Sequence, residues 1–300
     1  MASILVTGGT GLIGKHLCNL LSKKGHKVLI LSRNSSNNPN VFKWDIENNY
    51  IDENAIKNID FIIHLAGEGI ADKRWTSDRK KLLIKSRVAS ANLLFKKVKE
   101  LNPNLKGFIS ASGIGYYGAI TSEEIFDENS ASGNDFLSTI CVQWEEASLQ
   151  FNLLNIRTVL LRTGVVLTKK GGALEIIIMP IKFGLGAALG SGKQYMPWIH
   201  IDDLCEMYLQ AIENTKLKGI YNAVAPEHCT NNTLSKAIAK VLNKPFFLPN
   251  IPAFLLKIVL GKLSCILLEG SKVSSKKIEE TGFKFQFSNL NDALKNLLNN

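Results

Sequence analysis

Three glycines near the start of the chain have the spacing of a phosphate-binding turn. Gly8, Gly11 and Gly14 lie between a short apolar run and a segment with helical spacing, in the sequence VTGGTGLIG. The first glycine permits a tight turn, the second lets a pyrophosphate approach the backbone, and the third allows close packing of the helix. The amides of residues 10–13 would then face an anion at the helix N-terminus. The motif predicts a dinucleotide-binding site.

The end of the second apolar run carries the residues that would meet the adenosine ribose. A site that prefers NAD places a carboxylate there to bind the ribose 2′-hydroxyl. This chain instead has Ser32, followed by Arg33. A serine hydroxyl and a guanidinium can both bind a 2′-phosphate, the latter through a charge-assisted hydrogen bond. The sequence therefore favours NADP(H), with an ordinary exposed charge as the alternative interpretation of Arg33.

Two polar and aromatic clusters are candidates for proton transfer or substrate binding. Tyr116 and Tyr117 follow a predicted strand, at the sheet edge where ligands of open α/β sheets bind. Core packing is the alternative, because a tyrosine needs a nearby cation to act as a base near neutral pH. Trp198 and His200, in MPWIHIDDL, are candidates for substrate contact, and a histidine pKa of about 6.5 suits a proton shuttle. The alternative is that this segment caps the following helix with an aspartate.

The cysteines indicate neither a disulfide framework nor a metal site. All five are widely separated without a CxxC pair, and the sequence has no HExxH motif or carboxylate cluster. Cys141 lies in a helical run without a neighbouring cation that would activate a thiolate, so a buried small residue is expected there. We therefore predict no metal and a reducing, cytoplasmic compartment.

Alternating apolar runs and helical patterns position these candidate residues. The alternation predicts a parallel sheet with helices on both faces, which is a doubly wound α/β fold. The predicted strands are 3–7, 27–31, 61–65, 108–112 and 159–162, and the predicted helices between them are 12–24, about 77–100 and about 135–150.

The second half of the chain no longer alternates between apolar runs and helical patterns. After the predicted sheet comes a glycine-rich stretch, then helices around 250–270 and an amphipathic helix from about residue 289. We predict an NADP-binding domain over 1–167 and a smaller, mainly helical substrate lobe over 168–300, including a small helical domain at about 247–297. The chain has 300 residues, and about 100–150 residues per domain is usual, so its length suits two lobes.

Composition and charge narrow the classes of partner. With 45% hydrophobic and 21% charged residues the chain has a globular composition, which excludes a mainly disordered or collagen-like protein. The net charge of +10 comes mostly from dispersed lysines in the second half, whereas nucleic-acid binding favours one basic cluster. Lysines interrupt the apolar stretch 251–268, and the N-terminus lacks a signal-peptide pattern. No nucleic-acid or membrane partner is expected, whereas a small polar or anionic substrate and an oligomer are compatible with the sequence.

Further motifs give the chain a specific resemblance to a known family. The matching segments are HLAG (64–67), AGEGIADKRW (66–75), SASGIGYYG (110–118), WEEA (144–147), LRTGVVL (161–167), MPWIHIDDL (196–204), LLEG (267–270) and TGFKF (281–285). Together they resemble the extended short-chain dehydrogenase/reductase superfamily, and within it an atypical epimerase-like subgroup with a distinctive small C-terminal domain. The resemblance covers nearly the whole chain and implies a Rossmann-type fold that binds a dinucleotide.

The resemblance also implies a set of cofactor-binding positions. Those positions are Gly8, Thr10, Gly11, Leu12, Ile13 and Gly14 for the pyrophosphate, Ser32 and Arg33 for the 2′-phosphate, Leu65 and Ala66 along the ribose, Arg87 on the cofactor side and Val166 beside the nicotinamide. For Arg87 and Val166, packing or surface roles are equally compatible with the sequence. Ser112 resembles the serine with which the superfamily polarises its substrate.

One element of the superfamily pattern is missing. Its redox members use a Tyr-x-x-x-Lys pair, in which the lysine lowers the tyrosine pKa so that the phenolate exchanges a proton with the substrate. No tyrosine of this chain has a lysine four positions later, and the aligned positions hold Leu137 and Cys141. The subgroup that the chain resembles also lacks the pair.

Two functions from different classes therefore remain open. The first is an NADP(H)-dependent oxidoreductase or epimerase-like enzyme of unknown substrate, with Ser112, Tyr116 and Tyr117 as candidate catalytic residues. The second is a non-catalytic NADP(H)-binding or sensing protein. Retention of every phosphate-binding feature beside loss of the proton-transfer pair is compatible with both.

Overall fold

The computed structural model describes residues 1–299. Its strands are β1 (Ser3–Thr7), β2 (Lys27–Ser32), β3 (Val41–Asp45), β4 (Tyr50–Ile51), β5 (Phe61–His64), β6 (Gly107–Gly113), β7 (Ile125–Phe126), β8 (Arg157–Thr163), β9 (Val165–Leu167), β10 (Trp198–His200), β11 (Gly219–Ala223) and β12 (Lys272–Val273). Its helices are α1 (Leu12–Lys23), α2 (Ser77–Leu101), α3 (Phe136–Leu149), α4 (Gly172–Lys182), α5 (Ile201–Glu213), α6 (Asn231–Val241), α7 (Ala253–Leu260), α8 (Cys265–Leu268), α9 (Lys276–Glu279) and α10 (Leu290–Leu298).

Eight strands form one sheet, in the order β11, β8, β6, β5, β1, β2, β3, β4. Neighbouring strands are parallel except for β3 and β4, which are antiparallel. The chain runs outward from β1 through β2 and β3 and then returns to β5, on the other side of β1. This reversal opens a crevice at the carboxyl ends of β1 and β5, where ligands of such sheets bind. The predicted doubly wound, Rossmann-type fold is confirmed.

Helices cover both faces of the sheet because its inner strands are apolar on both sides. All of β5 and all but the first residue of β1 are buried. On one face α1 and α5 contribute Leu17 and Leu204 to an apolar cluster with the strands. On the other face α2 contributes Leu94 to a cluster that includes Phe108 of β6. Burial on both faces explains why these strands read as continuous apolar runs in the sequence.

The sequence pattern does not reveal β3, β4 and β11. Trp44 is the one fully buried residue of β3, so the apolar signal of that strand is weak. β11 is five residues long and carries a polar Asn222. Its place in the sheet comes from parallel pairing with β8, in which Tyr221 lies beside Leu161. Tertiary pairing of this kind overrides a weak local propensity.

The C-terminal half of the chain contributes to both lobes. α5 packs against α1 and β11 pairs with β8, so the main sheet draws on segments from both sides of residue 167. A separate apolar cluster joins α4, α6 and α10 and includes Leu174, Leu234 and Leu294. Outside the main sheet, β9 pairs with β10 and β7 pairs with β12, which gives two small parallel sheets. The division of the chain at residue 167 stays a prediction.

A histidine, rather than an aspartate, caps α5. His200 precedes the helix, and its Nδ1 accepts a hydrogen bond from the Asp202 backbone N–H at 3.1 Å. The prediction of an aspartate cap is therefore wrong, because both aspartates of the segment lie in the first turn. Asp202 points toward α1, where its carboxylate lies 2.6 Å from the Nε2 atom of His16.

The second aspartate of this turn holds the C-terminal segment in place. Asp203 is 1% exposed, and its carboxylate accepts hydrogen bonds from the backbone N–H groups of Gln286 (2.7 Å) and Phe287 (3.0 Å). These bonds join α5 to the stretch that leads into α10.

We expect Asp203→Ala to lower the free energy of unfolding by about 2–4 kcal/mol, because two backbone N–H groups would lose their acceptor. Urea unfolding followed by circular dichroism measures the loss. Glu206→Ala is the matched control on the same helix, since that side chain is 40% exposed, and it should change stability by less than about 0.5 kcal/mol. Equal losses in the two variants would contradict the anchoring role.

Candidate nucleotide-binding site

The glycine turn leaves the start of α1 without a side-chain cap. Gly8 has a φ of +71°, and its carbonyl accepts the Gly11 N–H at 3.0 Å. A Cβ on Gly14 would lie 2.1 Å from the Gly8 oxygen, so glycine is required there. Gly11 is the N-cap and offers no side chain to the first-turn amides, and Thr10, Gly11 and Leu12 are exposed. Since the Gly11 N–H is bonded to Gly8, the other amides of this turn are the ones open to an anion at the positive end of the helix.

The turn lies against the end of β5, which gathers several predicted cofactor residues. A Cβ on Gly8 would lie 3.0 Å from the carbonyl group of Leu65, and 3.1 Å from the Ala66 nitrogen. Ile13, Leu65 and Val166 pack against the same apolar cluster. The structure therefore brings the first turn of α1 against the segment after β5, and the short strand β9 begins two residues beyond the carboxyl end of β8, at the same edge of the sheet.

A buried histidine ties the ends of β1 and β5 to α2. His64 Nδ1 lies 2.7 Å from Thr7 Oγ1, and its Nε2 lies 3.1 Å from Ser90 Oγ. Thr7 Oγ1 accepts the N–H groups of Leu65 and Ala66 at 3.2 Å each, so its own proton is free to be donated to Nδ1. This pattern assigns the ring proton to Nε2 and makes the ring neutral. Burial lowers the His64 pKa to about 4, in agreement with that assignment.

Ser32 and Arg33, the predicted 2′-phosphate residues, stand at the end of β2 and therefore at the same edge. Ser32 is half-buried, and 75% of the Arg33 side chain is exposed. Arg33 Nη1 donates to Glu68 Oε1 at 3.0 Å. Arg79 Nη1 donates to the other oxygen of the same carboxylate at 3.2 Å. Sequence reasoning misses Glu68, although its segment AGEGIADKRW was one of the matching motifs.

Arg87 is held by the protein backbone. Its side chain is buried, and its Nη1 and Nη2 atoms donate to the carbonyl groups of Leu83 (3.0 Å) and Glu68 (2.9 Å). The guanidinium lies 5.0 Å from the ring centroid of Trp144, and burial lowers its pKa. These contacts fasten the Glu68 segment to α2. A direct contact of Arg87 with a cofactor stays a prediction.

A buried ion pair lies near the carboxyl ends of β6, β8 and β11. Arg162 donates to both carboxylate oxygens of Glu145 at 2.8 Å, and Ser112 Oγ donates to Oε1 of the same group at 2.6 Å. Ser112, Arg162 and Asn222 are in register on the three neighbouring strands. Burial would lower the Arg162 pKa, but its bonds to Glu145 hold it above its ordinary value. Sequence reasoning misses this pair; the available signal was an arginine inside the apolar segment LRTGVVL.

The two tyrosines of the GYYG loop differ in their relation to this pair. The Tyr117 hydroxyl donates to Asn222 Oδ1 at 2.7 Å and accepts from Arg162 Nη1 at 3.1 Å. Burial raises the Tyr117 pKa to about 12, so it is no base near neutral pH. Tyr116 is half-buried, and its ring centroid lies 3.3 Å from Arg162 Cζ. Ser112, Tyr116 and Tyr117 thus surround one buried ion pair.

Three other residues singled out by the sequence are buried. Cys141 is buried as expected, and burial raises its pKa to about 12. Trp198 is 0% exposed and donates from Nε1 to the Glu227 carbonyl at 3.1 Å. His200 is 1% exposed, packs with its ring centroid 3.9 Å from that of Phe287, and has its pKa lowered by burial. A substrate contact for Trp198 or His200 stays a prediction.

Comparison with known sequences identifies the family. A model described as the NAD dependent epimerase/dehydratase family matches residues 4–223. The chain belongs to this family. A second model, described as a domain of unknown function, matches residues 251–297. The resemblance predicted from the motifs is confirmed, including a distinct C-terminal region in this epimerase/dehydratase family member.

Relatives within the epimerase/dehydratase family are similar over nearly the full length. The Epimerase family protein YfhF of Bacillus subtilis strain 168 is 35% identical over 99% of this chain and 98% of its own length. The Epimerase family protein SDR39U1 of Mus musculus is 35% identical over 98% of this chain and 99% of its own. A crystal structure of the human epimerase family protein SDR39U1 (isoform 2) with NADPH is 33% identical, with a TM-score of 0.90 over 99% of both chains.

The described residues were also searched for metal-binding clusters and for helices that could span a membrane. Within residues 1–299, no group of three or more His, Cys, Asp or Glu side chains is placed to hold a metal ion. In the same range, no helix combines the length and the apolar character needed to cross a membrane.

We expect the stability of the protein to fall between about pH 6.5 and pH 4, because His64 must stay neutral to accept the Thr7 proton. Its folded-state pKa of about 4 lies below the ordinary 6.5, so its contribution is complete above pH 6.5 and is lost on acidification. The loss amounts to about 3 kcal/mol. Urea unfolding of the wild type and His64→Asn at several pH values measures it, and the difference between the two proteins should shrink toward acid pH. A difference independent of pH would show that the ring is not buried in its neutral form.

Proposed function

We propose that this chain binds NADP(H) at the carboxyl edge of its sheet and uses it in an oxidoreductase or epimerase-like reaction on a small polar substrate. The glycine turn carries the proposal, because the amides at the start of α1 have no side-chain cap and Gly14 cannot accept a Cβ. Such a cradle fits a pyrophosphate group. Membership of the NAD dependent epimerase/dehydratase family supports the same assignment.

Arg33 supports NADP(H) over NAD(H). Its exposed side chain belongs to the residue directly after β2, which follows Ser32 in the sequence. Both side chains can bind a 2′-phosphate, and the guanidinium does so with charge. The human relative crystallised with NADPH supports this choice.

The other residues at this edge would hold the cofactor in place. When bound, the nicotinamide supplies or accepts a hydride. The amides of Thr10, Leu12 and Ile13 would bind the pyrophosphate, Leu65 and Ala66 would line the ribose, and Val166 would lie on the nicotinamide side. Thr7, fixed by His64, accepts the N–H groups of Leu65 and Ala66 and so keeps that segment beside the turn.

Tyr116 is the best-placed candidate for proton transfer. Its ring lies over the Arg162 guanidinium, which holds the ring in place. The hydroxyl of Tyr117 is already engaged in the buried network. Ser112 donates its proton to Glu145, but its oxygen can still accept a hydrogen bond from a substrate hydroxyl. In this proposal Ser112 orients the substrate and Tyr116 exchanges the proton.

A non-catalytic NADP(H)-binding or sensing protein is the second candidate. The observation that favours it is on α3, where Leu137 and Cys141 occupy the positions aligned with the missing tyrosine and lysine. A cysteine is either neutral or anionic and cannot supply the positive charge of the lysine, and burial raises the Cys141 pKa, so this side chain is a neutral thiol. Oxidation of bound NADPH against a panel of carbonyl compounds and nucleotide-sugars separates the candidates: consumption supports the enzyme, and tight binding without consumption supports the sensor.

We expect Arg33→Glu to raise the NADPH dissociation constant at least about ten-fold, because a carboxylate would replace the cation that faces the 2′-phosphate. NADH, which lacks that phosphate, should be affected far less. Fluorescence titration of NADPH and NADH on the purified protein measures both constants. Lys27→Glu makes the same change of charge at the exposed opposite end of β2 and is the matched control. Unchanged NADPH affinity in Arg33→Glu would refute the assignment of the 2′-phosphate site.

We expect Tyr116→Phe to lower kcat at least about 100-fold with little change in stability, because the variant loses only the proton donor. Tyr117→Phe should instead destabilise the fold by about 1–3 kcal/mol, since buried Asn222 and Arg162 would lose a partner. Turnover on the substrate found in the panel, together with thermal unfolding, distinguishes the two effects. Undiminished turnover in Tyr116→Phe would mean that another group transfers the proton.

A further inference from the structure

The carboxylate of Glu68 lies between two arginines beside the proposed 2′-phosphate site. Oε1 accepts from Arg33 Nη1 at 3.0 Å, and Oε2 accepts from Arg79 Nη1 at 3.2 Å. Burial would raise the Glu68 pKa, but the hydrogen bonds from Arg79 and Arg33 hold it below its ordinary value. The group is therefore an anion at neutral pH, and the three side chains together carry a net charge of about +1.

Glu68 is fixed by contacts with the protein, whereas its partner Arg33 is mostly exposed to solvent. The backbone N–H of Glu68 donates to Ser86 Oγ at 3.1 Å, and its carbonyl accepts from Arg87 Nη2 at 2.9 Å. The Glu68 side chain is 24% exposed, against 75% for Arg33. Arg33 can therefore turn toward another anion, whereas the carboxylate stays in place.

The partner on the other side fixes the carboxylate further. Arg79 is 8% exposed, and its Nη2 atom donates to the Gly69 carbonyl at 2.6 Å. Arg79 is thus anchored to the same segment as Glu68 and is less free to move toward a ligand. Of the two guanidinium groups on this carboxylate, the exposed Arg33 is the one that a bound phosphate can recruit.

We propose that Glu68 is a specificity-determining residue that limits how strongly the site prefers NADP(H) over NAD(H). This inference rests on the proposed function. A 2′-phosphate, which carries about two negative charges, must draw Arg33 away from a carboxylate that already pairs with it. The phosphate must also bind near a fixed anion. NAD(H) has a hydroxyl at that position and meets neither cost, so Arg33 contributes less to discrimination than an unpaired arginine would.

The charge-removing variant Glu68→Gln tests this role, because glutamine keeps the size and one hydrogen-bond acceptor. Fluorescence titration of NADPH and NADH on the full chain should show the NADPH dissociation constant falling about three- to ten-fold, with that of NADH changing less than about two-fold. The gain should shrink at high salt, which screens charge interactions. Glu47→Gln is the matched control, since it removes an exposed carboxylate that pairs with Lys85.

The same gain should shrink in an Arg33→Gln background, because Glu68 would no longer compete with the phosphate for Arg33 and only its repulsion of the phosphate would remain. An equal change for both cofactors, or weaker NADPH binding by Glu68→Gln, would overturn the proposal and make Glu68 a residue that positions Arg33. A folded wild type that binds neither cofactor would refute the proposed function itself. Thermal unfolding checks that each variant is folded. Glu68→Asp is the second variant, because its shorter side chain moves the carboxylate away from Arg33. An unchanged NADPH dissociation constant in this variant would also overturn the proposal.

Discussion

The buried pairing of Arg162 with Glu145 is the constraint on which the carboxyl ends of β6, β8 and β11 depend. An ion buried without a partner costs several kcal/mol, so a guanidinium on an inner strand requires a carboxylate beside it. Arg162 meets this requirement with two bonds to Glu145 and one to Tyr117. Because Arg162 is in register with Ser112 and Asn222, the same pairing fixes three strand ends relative to α3. Loss of either ion would leave an uncompensated charge, at a cost of about 3–5 kcal/mol.

The parts of the fold that could be predicted from sequence are those that local chemistry decides. The glycine turn is predictable because Gly14 has no room for a Cβ, whatever the rest of the chain does. β1, β2, β5, β6 and β8 are predictable because strands covered on both faces must be apolar. The site pairs are not predictable in this way. Arg33 and Glu68 are 35 residues apart and meet only because β2 and β5 flank β1. The His200 cap was missed because an aspartate is the more usual residue at that position.

The two halves of the candidate site therefore rest on different physics. Under the proposed function, the pyrophosphate half would be made of backbone amides and would need only the turn and the helix end. The choice between cofactors would depend on side chains after β2 and β5, of which Arg33 is exposed and Glu68 is anchored. The backbone half depends on glycine at positions 8 and 14, whereas the exposed half depends on the charge of individual side chains. Under the proposed function, cofactor binding and cofactor preference would therefore respond to different substitutions.

The proton step is the more demanding half of the proposed reaction. Hydride exchange requires a bound and oriented nicotinamide, but a hydroxyl substrate must also lose or gain a proton. Arg162 presents its guanidinium face to Tyr116, with 3.3 Å between Cζ and the ring centroid. Glu145 offsets the charge of that guanidinium through two hydrogen bonds, so the pair can hold the Tyr116 ring without placing an uncompensated charge beside it.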